Sequence, residues 1–155
     1  MTLPTAPLLG WDPAPSLAAV LALASGVPGV QSAWVGAPEA LPTRVVASVT
    51  AGGFEPVVKT VGGVSLVRLR YRVPFGYRVM GAEDTAETTM IAAALAFAAA
   101  VEDDRTLGAT CDQARLDATV ADSPPYALVA GDEFRLYPVV VEVTLRRPFD
   151  PATSQ

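Results

Sequence analysis

The stretch Ser65-Leu66-Val67-Arg68-Leu69-Arg70-Tyr71-Arg72-Val73 alternates between apolar and basic residues along most of its length. Successive side chains of an extended chain point to opposite faces, so Val67, Leu69, Tyr71 and Val73 share one side and Arg68, Arg70 and Arg72 the other. This predicts a half-buried β-strand with one core face and one basic face. The core face needs a covering layer. Pro74 and Gly76 are expected to end or kink the strand.

The cover is predicted immediately downstream. Asp84-Thr85-Ala86-Glu87 has the form of a capping box and would open a long helix reaching about Asp104, with acidic residues in the first turn where the helix dipole favours them. Met90, Ile91, Ala94, Leu95, Ala98 and Val101 form an apolar stripe at helical spacing, which predicts that Ile91, Leu95 and Ala98 are buried on the sheet. The alanines at 92, 93, 94, 96, 98, 99 and 100 keep this helix thin, and Leu107-Gly108 would stop it. A shorter helix precedes the strand, with Asp12 capping and Pro13 at its first position, or with Ser16 capping Leu17 to Ser25. Gly26 and Pro28 end it.

Further strands are predicted at Gln31 to Val35, Arg44 to Thr50, Ala114 to Ala121 and Phe134 to Arg146, with Asp122 to Asp132 a turn-rich loop around Pro124-Pro125. In the last strand the apolar positions change from even (Phe134, Leu136) to odd (Val139, Val141, Val143, Leu145), and a bulge near Pro138 would restore the register. These elements define an α+β fold: a mixed, mainly antiparallel sheet with a long alanine-rich helix on one face and a shorter N-terminal helix. Residues 1–155 form one domain, with an extended proline-rich arm over 1–15, a core over 16–149 and a loose tail over 150–155.

Gly52-Gly53 and Gly62-Gly63 flank the segment Phe54-Glu55-Pro56-Val57-Val58-Lys59-Thr60-Val61, which reads as a long hairpin or a projecting loop. Paired glycines would let it swing as a unit, with Phe54 as an apolar anchor, Val57 beside it and Lys59 as rim charge. These three residues, with Arg68, Arg70 and Arg72, are the candidate partner-binding set. The arginines read equally as a solvated strand face paired with acids such as Glu142 or Glu133 on neighbouring strands.

Composition narrows the chemistry. The chain lacks histidine and has one cysteine, Cys111, which removes Ser-His-Asp and Cys-His catalysis, zinc fingers and an intrachain disulfide. Glu102, Asp103, Asp104, Asp112 and Asp117 match no calcium-loop spacing and read as a solvated helix end. Cys111 reads as structural, and Trp11 and Trp34 as core or interface anchors. No catalytic, cofactor or metal site is expected, and an enzyme using paired carboxylates or Tyr-Arg chemistry is a minor alternative. The formal charge of −5 has the wrong sign for tight binding to a phosphate backbone. No stretch is apolar for long enough to span a membrane, and no basic n-region opens a secretory signal. At 51% hydrophobic and 17% charged residues, the chain needs neighbours to cover apolar surface, which favours an assembled subunit over a monomer.

The element order, the helix end and turn in AVEDDRTLGATCDQARL, and the closing FRLYPVVVEVTLRRPF resemble the tail terminator proteins of long-tailed bacteriophages, of the lambda minor tail protein U type. The resemblance runs from about Leu17 to Phe149. It implies a virion protein assembled in the host cytoplasm, forming a ring, typically of six subunits, at the head-proximal end of the tail tube. Such a ring stops tube polymerisation and contacts the tube protein on one side and the head-tail connector or stopper on the other, while DNA passes without specific binding. Another neck or tail ring protein, such as a stopper, connector or tube subunit, is the alternative, followed by a small ligand-binding domain.

Overall fold

The computed structural model describes residues 10–36, 41–60, 63–117, 126–129 and 131–147. Among the described residues, two helices, α1 (Ala14–Gly26) and α2 (Ala86–Asp103), accompany six strands: β1 (Ala33–Val35), β2 (Val46–Thr60), β3 (Gly63–Arg78), β4 (Gln113–Leu116), β5 (Tyr126–Val129) and β6 (Asp132–Arg146). One sheet has the order β1-β2-β3-β6-β4, with β5 also paired to β6. Among the described residues only β1 with β2 is parallel, so the sheet is mixed and mainly antiparallel, and the fold is α+β as expected. Residues 1–9 of the expected arm and the expected tail at 150–155 lie outside the described residues.

β3 behaves as its alternation demands. Tyr71, Val73 and Phe75 are fully buried, with Val67 and Tyr77 nearly so, all within the main core beneath the helices. Pro74 and Gly76 do not end it. Pro74 pairs opposite Pro138 and Gly76 opposite Leu136, in a register that runs unshifted from Leu66–Arg146 to Arg78–Phe134. Glycine is required at 76, because a Cβ there would sit 2.5 Å from the Arg135 carbonyl oxygen and 2.8 Å from Leu136 Cδ2.

The unshifted register also removes the expected bulge near Pro138. Val139, Val141, Val143 and Leu145 join the main core, whereas Phe134 and Leu136 pack with Trp34, Leu41 and Val46 in a second, smaller cluster. In a strand, odd and even positions face opposite ways, so the change of apolar parity records which face is covered at each end of β6. The helices cover one face along the sheet, and the small cluster covers part of the reverse face.

On α2 the expected stripe holds at Met90, Ala94 and Val101 but not at Ile91, Leu95 and Ala98. Leu95 is 61% exposed and Ile91 and Ala98 are only partly buried, while Ala86, Met90, Ala93, Ala94, Phe97 and Val101 form the buried face. Residues two apart on a helix are about 200° apart, so burying Phe97 turns Leu95 outward. Phe97 packs on Phe75 with ring centroids 5.6 Å apart and planes tilted by 53°. The capping box does not form either. Thr85 is in helical conformation without a side-chain cap, and Glu87 is drawn away: Tyr77 donates its hydroxyl to Glu87 at 2.9 Å and Arg135 bridges it at 2.8 Å.

α1 starts at Ala14, whose amide donates to Asp12 at 3.0 Å, in line with the Asp12-Pro13 start. Ser16 lies inside the helix. Its hydroxyl is 2.9 Å from that of Tyr71, and each is 3.1 Å from the Pro13 carbonyl, so two hydroxyls and one carbonyl pin the start of α1 to β3. α2 ends at Asp103, and Leu107, Gly108 and Ala109 then follow with φ of 48°, 67° and 63°. Asp104 holds this left-handed turn by accepting from the Gly108 amide at 2.8 Å and from the Thr106 hydroxyl at 3.1 Å. Those hydrogen bonds, with the Gly108 amide foremost, hold its carboxyl below the usual carboxylate range.

Two more boundaries differ from expectation. Tyr126–Val129, expected within a loop, forms a hairpin with β6 through Gly131 at φ 87°. The Gly52 to Gly63 segment is β2 continued: Ala51 pairs with Tyr71 and Phe54 with Leu69, so three steps on β2 match two on β3 and the glycines accommodate a bulge. Pairing by Phe54, Glu55 and Pro56 with β3 argues against a loop swinging freely on glycine hinges.

Candidate interaction surfaces

Of the candidate residues, Phe54 is 72% exposed and Val57 38%. Lys59 pairs opposite Val64 in the hairpin, and its side chain lies outside the described residues. β1 stops opposite Val49 and β6 stops opposite Leu66, so among the described residues the strands beyond these points have only each other as partners. Beyond Val49 the outer side of β2 is therefore a free edge among the described residues, with Phe54 and Val57 exposed along it, and only residues 59–60 and 63–65 extend past β6.

Arg68 and Arg70 sit on the reverse face of the sheet, where Glu142 is 5% exposed. Glu142 accepts from Arg70 Nε at 3.2 Å and from Arg115 Nε at 2.7 Å, with Arg68 Nε at 3.8 Å. Glu55 reaches Arg68 at 2.8 Å, and Asp117 reaches Arg70 at 3.3 Å. The expected partner Glu142 is thus present, but Glu133 is not among the acids these arginines meet. Arg72 is exposed, and no ion pair is recorded for it among the described residues. Cross-strand register explains the cluster, because Arg70 and Arg115 both lie directly opposite Glu142, on either side of it. Alternation pointed to Arg68, Arg70 and Glu142. Arg115, Asp117 and Glu55 needed the strand order, which a single sequence leaves open.

Three of the acids in the run from Glu102 to Asp112 have structural partners. Glu102 bridges Arg105 and Asp112 bridges Arg146, each at 2.9 Å, while Asp104 caps its turn. Among the described residues, no three metal-ligating side chains come together. Burial, with Asp112 and Asp104 nearby, pushes the Cys111 thiol up to about 11, so it is a weak nucleophile at neutral pH. A cleft of about 570 Å³ at the start of α2 has Arg44 and Glu83 as its charged lining residues among the described ones.

Two apolar surfaces complete the inventory. The outer helical layer exposes Ala18 and Ala22 on α1 and Thr88, Ala92, Leu95 and Ala99 on α2. α1 contains no charged residue, and α2 contains only Glu87, Glu102 and Asp103. At the root of the hairpin, Trp11, Pro13, Phe54, Val67, Leu69 and Leu145 line a groove of about 220 Å³. The sequence did not reveal this groove, since its lining comes from four separated segments. No described helix is long and apolar enough to cross a membrane. No protein-family model matches the sequence, and no curated protein matches it either.

Proposed function

We propose that this chain is a structural ring subunit of a long-tailed phage, a tail terminator that caps the tail tube and joins it to the head connector or stopper. The observation that carries the reading is the outer edge of β2 beyond the end of β1, where Phe54 is 72% exposed. An exposed aromatic on a strand edge is an interface anchor in search of a pocket. The outer layer of α1 and α2, uncharged on α1 and acidic on α2 only toward its ends, supports it, because it is a second apolar surface on the same chain. Two unlike surfaces on one subunit suit a head-to-tail contact, which closes into a ring when the rotation permits. In this reading the subunit is non-catalytic, resides in the virion and takes no cofactor. The hairpin reaches the tube protein or the adjacent subunit, and the formal charge of −5 suits a channel that DNA crosses without being held.

The test is Phe54→Ser in the assembling phage, with sedimentation of the purified subunit alone and with tail tubes. The expected result is a folded subunit, with tails of uncontrolled length or tails that fail to join heads. A wild-type particle that stays monomeric in both conditions and is absent from tube ends refutes ring assembly. A cyclic oligomer found along the tube, or only on the capsid connector, assigns the chain to another tube or neck ring instead.

A further inference from the structure

We propose that neighbouring copies of this chain meet head to tail, with the acidic corner formed by the β5–β6 turn and the turn after β3 seated on the arginine-bearing reverse face of the next copy's sheet. The inference rests on the ring reading and names the two surfaces through which adjacent subunits touch, leaving the Phe54 edge of β2 to reach the tube.

The first surface is an uncovered sheet face. The helices lie on the other side, and the small cluster around Trp34 and Leu41 covers only part of the reverse. On the rest stand Arg68, Arg70, Arg72 and Arg115 with three acids, Glu55, Asp117 and Glu142. This patch keeps one positive charge in excess, and Arg72 is exposed without an ion-pair partner among the described residues. Thr50 and Val140 flank Arg72 on its two neighbouring strands and Thr144 lies opposite Arg68, so long cationic side chains rim a floor of short ones.

The second surface is the far end of the same sheet. The Val79 amide donates to the Glu133 carbonyl at 3.0 Å, which brings the turn after β3 against the β5–β6 hairpin. Glu83, Asp84, Asp132 and Glu133 are all exposed there, and none has an ion-pair partner among the described residues. Arg135 on this side is matched by Glu87, and Arg44 and Arg78 offset two of the four acids, so the corner is acidic by two. Its apolar tip is Met80, 80% exposed, and Leu128, 78% exposed and paired directly opposite Glu133. An apolar tip among acids matches a neutral floor among arginines, as in an interface with an apolar centre and a charged rim.

The two surfaces cannot meet within one chain. Arg70 and Arg78 are eight residues apart on β3, about 27 Å at roughly 3.4 Å per residue, and Arg78 stands opposite Phe134 at the start of β6. A second copy must supply the partner. Because the two surfaces differ, the contact repeats in one sense and closes into a ring when the rotation permits.

Charge reversal in the full chain tests this. Arg72→Glu turns the patch from one positive charge in excess to one negative, and Asp132→Lys with Glu133→Lys turns the corner from acidic by two to basic by two. Assembly is read by sedimentation, alone and with tail tubes, and far-ultraviolet circular dichroism checks folding. Each variant alone should associate about tenfold more weakly than the wild type, or worse, since like charges then face each other. An equimolar mixture of the two should recover association to within about threefold, because altered surfaces meet altered ones and unaltered meet unaltered in alternation. The triple variant in one chain should recover in the same way. Wild-type assembly by either single-surface variant overturns the contact and leaves the ring intact. Loss in both, without recovery in the mixture or the triple variant, assigns these surfaces to other partners and also overturns the proposal. A wild type that is monomeric in both conditions overturns the ring reading and this contact together. Should the hairpin variant change the spectrum, Glu83→Lys with Asp84→Lys reverses the same corner, and the same outcomes apply.

Discussion

Truncating Phe97 and Leu95 to alanine in separate variants distinguishes the two helix registers by their cost. Phe97 is fully buried and packs on the Phe75 ring at 5.6 Å, so removing it forfeits its transfer energy, leaves a cavity and loses an aromatic pair. That amounts to about 3–5 kcal/mol. For a domain of this length it lowers the melting temperature by roughly 6–20 °C. Leu95 is 61% exposed, so well under half of the roughly 1.5–3 kcal/mol for a fully buried leucine is at stake. Alanine also regains a little through its better helix propensity. The net cost of Leu95→Ala is then about 0.5 kcal/mol in the dissociated subunit. Urea unfolding followed by far-ultraviolet circular dichroism, at concentrations where the subunit is monomeric, measures both values on one scale. If Leu95→Ala costs as much as Phe97→Ala, α2 is rotated relative to its description here and the reasoning fails.

Glu142→Gln should lower stability by about 1–3 kcal/mol, because it removes the charge that accepts from Arg70 and Arg115 in a nearly dry position. The half-exposed arginines can turn to water, which keeps the loss below that of a fully buried pair, and an unchanged urea midpoint contradicts the network. Tyr77 is pushed up to about 12 by burial and by donating its hydroxyl to Glu87. The folded state therefore holds this proton more tightly than the unfolded chain, whose tyrosine titrates near 10. Its contribution is fully present below pH ~10 and is lost as pH rises toward ~12. Tyr77→Phe should flatten this part of the alkaline stability profile, and an equally steep loss in the variant places the proton elsewhere.

How much could be read in advance depended on whether the signal was local. The alternation in β3 placed three arginines on one face and offered Glu142 or Glu133 as partners, of which Glu142, 72 residues from Arg70, is the one they meet. Helix α2 was legible as a helix but not in rotation, because its alanine-rich sequence offers several faces of similar hydrophobicity. What selected one face was Phe97 meeting Phe75, a contact that no periodicity contains. The parity change in β6 was read correctly and explained wrongly, since covering a second face and slipping by one residue leave the same trace in sequence. The groove was missed because Trp11, Phe54, Leu69 and Leu145 meet only once strand order is known. Phe54 itself stood out through its glycine flanks.

The place of β6 in the sheet imposes an order on the making of this protein. It is the last described strand along the chain, yet it lies between β3 and β4 and also carries β5. While the ribosome is still adding residues 132–146, the β2–β3 hairpin can form from neighbouring sequence, but one flank of β3 has nothing to pair with. Tyr71, Val73 and Phe75 then sit beside an open flank, a state prone to pairing with another nascent chain. Pro74 is already in place during that wait, and a strand interrupted by a residue without an amide donor is a poorer template for a stranger.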